Sequence, residues 1–138
     1  MTNKTYELTS GDYYIGDISY FLQDAIIKKL QNRKNNTYFE DNGYEIVIVK
    51  PTGGNGLYEG SDGFIYDIED ENLGIIHVAL GDHSKFTGCG TFHTFVNPVT
   101  VTILNEVFTV KSGSWNLNIN IKDCYAIPSD DEGYDSWS

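Results

Sequence analysis

The sequence predicts an α+β domain, built as a strand-rich twisted antiparallel sheet or partly closed β-barrel with one α-helix packed on it. Three observations carry that prediction. Only one stretch, Ile18 to Arg33, repeats apolar residues at helical spacing, with Phe21, Leu22, Ala25, Ile26 and Leu30 in phase. Most of the remaining chain falls into short apolar or alternating runs cut by Gly, Asn, Asp and Pro. Aromatic residues make up 14% of the 138 positions, with ten Tyr and seven Phe, which suits strands.

Taken in order, Thr5 to Gly16 alternates loosely and breaks at Ser10-Gly11-Asp12, giving two short strands. Gly16-Asp17 then supplies a stop and an N-cap, because the Asp17 carboxylate can accept from the unpaired amides of the next turn. Lys28, Lys29 and Arg33 complement the dipole at the far end of the helix, and Asn35-Asn36 ends it. Asp41-Asn42-Gly43 is a turn signal. Tyr44 to Lys50 reads as a strong strand, ended by Pro51. Leu57-Tyr58-Glu59 and Phe64 to Ile68 form a hairpin over Gly60 to Gly63. Gly74 to Leu80 is apolar apart from His77 and should be a central, buried strand.

A loop from Gly81 to Gly90 leads into strands at Thr91 to Val96, Val99 to Leu104 and Glu106 to Lys111. The last strand, Ser114 to Ile121, sets Trp115, Leu117, Ile119 and Ile121 against Asn116, Asn118 and Asn120, the pattern of a sheet with one wet face. Residues 1–127 read as a single domain. Residues 128–138 carry four of the 20 acidic residues and read as a mobile acidic tail.

The formal net charge of -11 argues against two classes of partner. Nucleic acid needs clustered Lys and Arg to neutralise phosphates. Anionic membranes repel such a chain. A partner protein with a basic surface is the one that charge would steer in. Two cysteines, Cys89 and Cys124, make no disulfide framework, and no apolar run approaches a membrane span, so a cytoplasmic setting is expected.

The rest of the chain is arranged around Thr52 to Leu80. This stretch holds six of the 14 glycines, no Lys or Arg, and the six carboxylates Glu59, Asp62, Asp67, Glu69, Asp70 and Glu71. Two candidate binding surfaces follow. One is a ligand pocket formed by the Gly53–Gly56 loop, with Gly54 and Gly56, beside Tyr58 and Tyr66. The other is an acidic turn of Asp67, Glu69, Asp70 and Glu71, held in place between two strands and joined by the tail acids Asp130, Asp131 and Glu132.

Two segments carry a resemblance. Tyr14-Ile15-Gly16-Asp17 followed by Tyr20 is similar to a Y-I-G-D-P-x-Y segment. Gly54-Asn55-Gly56-Leu57-Tyr58, Asp62-Gly63, Tyr66-Asp67-Ile68 and Leu73-Gly74-Ile75-Ile76 resemble G-D-G-x-Y, D-x-x-G, Y-x-V-D and I-G-I in that order. Both sets occur in a widespread group of small bacterial, phage and large-virus proteins without an assigned activity. Ile18 stands where that group has Pro, Asn55 where it has Asp, and Ile68-Glu69 where it has Val-Asp. The resemblance covers roughly residues 12 to 80 and implies a fold and a phage or bacterial setting, with no chemistry attached.

Catalytic and metal patterns are thin. The Gly53–Gly56 loop lacks the Lys and following helix of a phosphate loop. His83, Cys89 and His93, with Asp82 adjacent, are zinc-type ligands without finger spacing. Asp62, Asp67, Glu69, Asp70 and Glu71 offer oxygen to calcium without the EF-hand pattern. Cys89 with His77, His83 or His93 would be a nucleophile and base, and Glu59 with Asp67 an acid–base pair. Within its apolar strand, His77 reads first as a hydrogen-bonded core histidine. The leading expectation is a small acidic, non-enzymatic binding protein without a cofactor, acting as an inhibitor or neutralising partner. A small-molecule or nucleotide-binding module and a Cys/His or metal-dependent hydrolase stay open beside it.

Overall fold

The computed structural model describes residues 4–30, 37–69 and 72–122. Four strands form one antiparallel sheet in the order β1-β9-β10-β11: β1 (Lys4–Leu8), β9 (Val99–Leu104), β10 (Val107–Ser112) and β11 (Trp115–Asn120). Five strands form a second, in the order β3-β4-β7-β2-β8: β3 (Thr37–Asp41), β4 (Tyr44–Val49), β7 (Leu73–His77), β2 (Gly11–Asp17) and β8 (Gly90–Phe95). The hairpin of β5 (Gly56–Glu59) and β6 (Ile65–Ile68) is a separate pair, with Tyr58 opposite Tyr66.

The main core lies between the two large sheets. Tyr13, Ile15, Val47 and Ile75 meet Val101, Phe108 and Leu117, and the hairpin adds Tyr58, Tyr66 and Ile68. The opposite face of the five-stranded sheet, through Tyr14, Ile46 and Ile76, is covered by Phe21, Leu22 and Ile26. A sheet covered on both faces has no wet side. That is why β4 and β7 read as near-continuous apolar runs, while β11 alternates.

The structure is a β-rich α+β fold of antiparallel sheets with one helix among the described residues, and the expected partly closed barrel is corrected. Among the described residues each large sheet ends on edge strands, β1 and β11 in one and β3 and β8 in the other, so neither curls round to pair with itself. The strand expected to be central is internal, β7 lying between β4 and β2, and β4 is internal as well, between β3 and β7.

The helix expected from Ile18 to Arg33 is also revised. Asp17 caps a 3-10 turn, Ile18–Tyr20, and α1 spans Asp24–Leu30. Between them Leu22 bridges to Gly81, the Gln23 amide donates to the Leu80 carbonyl, and the Asp82 amide donates to Phe21. Tertiary pairing has overridden helical periodicity there. Ala25 is exposed. The strand expected to run to Leu80 stops at His77, whose Nδ1 accepts from the Ala79 amide and caps a 3-10 turn, Val78–Leu80. Arg33, Asp70, Glu71, Cys124 and the expected tail at 128–138 lie outside the described residues.

Candidate functional site

The two segments that carry the resemblance meet in space. Gly16 of β2 pairs with Gly74 of β7 on one side and with Gly90 of β8 on the other. A Cβ on Gly16 would lie 2.5 Å from the Cys89 carbonyl oxygen and 2.8 Å from the Tyr14 hydroxyl, so only glycine fits this crossing. The Tyr14 hydroxyl donates to the Asp17 carbonyl at 2.9 Å. Burial, then the charges of Asp17 and Cys89, push that phenol up.

Asp17 closes the join. It is fully buried, and its Oδ1 accepts from the Ser19 amide and hydroxyl. Its Oδ2 accepts from the Glu69 amide at 2.8 Å, across 52 residues of sequence. The Tyr20 hydroxyl donates to the Glu69 carboxylate at 2.5 Å. Asp67, half-buried, has an Oδ1 that is shut from solvent and without a hydrogen bond. Burial first, then a hydrogen bond with Glu69 and the charges of Glu69 and Asp17, push the Asp67 carboxyl up to about 6. Of the acidic turn read from the sequence, Asp67 and Glu69 are thus together and fixed, with Asp17 as an unforeseen third member. Asp70 and Glu71 lie outside the described residues.

Cys89 borders this group. Burial, with the charges of Asp67, Asp17 and Glu69, pushes its thiol up against the smaller opposing effect of a Thr87 hydrogen bond. Its Sγ lies 3.3 Å from the Thr87 hydroxyl. That is the wrong direction for a nucleophile.

The glycine loop is closed on its own chain. Gly54 takes φ +76° in a turn, and the Tyr58 hydroxyl donates to its carbonyl at 2.5 Å. A Cβ on Gly53 would meet the Lys122 carbonyl at 2.6 Å. Gly56 is buried at the start of β5. The Tyr58 and Tyr66 rings are both buried in the main core rather than facing an open pocket.

Tyr66 instead starts a polar chain that the sequence did not announce. Its hydroxyl donates to Asp62 Oδ2 and shares a hydrogen bond with the Thr91 hydroxyl, each at 3.0 Å. Thr91 in turn is 2.7 Å from His93 Nε2. His93 is pushed down by burial, against the raising effect of Asp62, and its ring lies against Phe95 and Trp115. His83 packs on Phe21 and Phe92. Among the described residues, no three His, Cys, Asp or Glu side chains form a group that could hold a metal ion. The only sequence signal for the chain was the period-two spacing of Thr91, His93 and Phe95 on one face of β8.

Two shallow grooves flank β8. One, of about 370 Å³, is bounded by His93, Phe95, Val96 and Trp115. The other, of about 330 Å³, is bounded by Asp12, His83, Phe92 and Thr94. No helix among the described residues is long and apolar enough to cross a membrane. Comparison with family models, curated proteins and solved structures finds no match to this chain.

Proposed function

We propose that this protein works by binding another protein rather than by catalysis, as an inhibitor or neutralising partner, and that its partner presents a basic surface. The observation that carries this reading is the fixing of Glu69. Its side chain is exposed, yet its carboxylate is held by Tyr20 and its amide is tied to buried Asp17. A charge that is already ordered loses less freedom when a cation docks on it. The raised Cys89 thiol and the closed glycine loop weigh against the hydrolase and nucleotide-binding alternatives.

The test is a charge swap, Glu69→Lys with Glu71→Lys, on the complex recovered by affinity capture. Association should slow several-fold and lose most of its salt dependence at ionic strengths where the Debye length is about 10 Å. An unchanged rate and salt slope would remove this face.

A further inference from the structure

We infer that β8 is a docking edge that takes one extended, basic segment of a partner protein as an added strand. The inference rests on the protein-binding reading above and names where the partner's main chain goes. Among the described residues β8 pairs with β2 alone and forms the outer edge of its sheet. The Asp17 amide donates to the Cys89 carbonyl, which sets the phase of the ladder. In an antiparallel pair the groups alternate, so Thr91, His93 and Phe95 turn their amides and carbonyls toward β2. Gly90, Phe92 and Thr94 turn theirs outward. No group among the described residues bonds to the Phe92 or Thr94 amide.

Among the described residues this edge lacks the usual protection. Folded proteins blunt open edges with Lys, Pro, bulges or inward charges. The β8 sequence, GTFHTF, has no charged residue and no proline. Phe92 is 41% exposed, and Val96, just past the strand, is 86% exposed. The two grooves lie where the alternate side chains of an added strand would point, one toward Trp115 and His93, the other toward Phe92 and His83.

Charge selects the occupant. The Asp17, Asp67 and Glu69 carboxylates all act on Cys89, the residue that precedes β8. Asp12 stands opposite Thr94 and accepts from its hydroxyl at 2.6 Å. Carboxylates therefore stand near both ends of β8, one group beside Cys89 and Asp12 behind Thr94, which favours Lys or Arg at the ends of an added strand. A second copy would bring a chain of charge -11 onto another of the same charge.

The experiment uses the full chain and a defined probe: a capped eight-residue peptide of alternating Val and Thr with Lys at both ends. A second probe carries N-methyl groups on the edge-facing amides, and a third has Glu in place of Lys. Hydrogen exchange is followed by NMR at Phe92 and Thr94. The Lys peptide should slow exchange at both amides, and N-methylation or Glu should weaken binding at least about tenfold. Thr94→Pro removes an outward amide and the hydroxyl bond to Asp12 but no ladder bond to β2, so it should abolish binding, while Thr94→Val, which loses only the hydroxyl bond, binds normally. Slow exchange at both amides in the unliganded monomer would overturn the inference, because the edge would then be covered by the chain itself. Protection that rises with protein concentration alone would overturn it in favour of a second copy. Peptide binding that leaves both amides unprotected would also overturn it. If the captured partner keeps its salt-dependent association with Thr94→Pro, the docking edge fails and the acidic-face reading survives.

Discussion

The two edges of the five-stranded sheet differ in kind. β3 ends in Glu40 and Asp41, and the Lys29 ammonium of α1 reaches Asp41 at 2.6 Å. Its exposed Tyr38 gives its hydroxyl to Glu45 and stacks on Tyr6. β8 has no charge of its own, and its exposed ring, Phe92, lies among other rings beside a groove. Charges at one edge discourage strand addition, and their lack at the other invites it. The difference separates an edge that serves the fold from one whose outward amides no described residue bonds.

The sharpest way to break this comparison is to remove the inner support of β8. Phe95 is buried against Tyr13 and Trp115. Phe95→Ala should cost about 3–5 kcal/mol in urea unfolding. A loss under about 1 kcal/mol would mean that β8 hangs loosely on β2 and is no rigid platform.

Leu22→Ala comes next, at about 2–5 kcal/mol, because Leu22 is fully buried under the outer face of the same sheet. An unchanged thermal midpoint would show that the layer around Phe21 and Ile26 is peripheral.

A smaller effect should follow pH. The Asp67 carboxyl is raised to about 6 from an ordinary 3.8, so the folded state holds a proton that the unfolded chain has released. Stability from this group is present below about pH 4 and is lost as pH rises through about 6. The groups facing it are Glu69, Asp17 and Cys89. The difference in urea midpoint between the native chain and Asp67→Asn should therefore grow in the variant's favour between pH 4 and pH 6. A constant difference would show that Asp67 titrates alike in the folded and unfolded chain.

The smallest effect belongs to the guarded edge. Lys29 is half-exposed, so Lys29→Ala should change stability by less than about 1 kcal/mol. A larger loss would mean that β3 depends on this ion pair.

Local pattern made some of this legible. The apolar runs of β4 and β7, the alternation of β11 and the Tyr58–Tyr66 pairing all follow from period-two spacing and turn residues. Asp17 was readable as a cap because capping acts within two residues. Its bond to the Glu69 amide was not, since nothing local relates positions 52 residues apart. The helix was overextended because Phe21 and Leu22 have helical spacing, yet their backbone pairs with Gly81 and Asp82. The edge position of β8 was hidden for the same reason. Strand order is set by long-range pairing, and the same six residues would serve in a central strand.

The most direct test is amide exchange in the unliganded protein. Thr91 and His93 turn their amides to β2, whereas Phe92 and Thr94 turn theirs outward. The prediction is an alternation along β8, with slow exchange at Thr91 and His93 and fast exchange at Phe92 and Thr94. Slow exchange at all four would contradict an open edge.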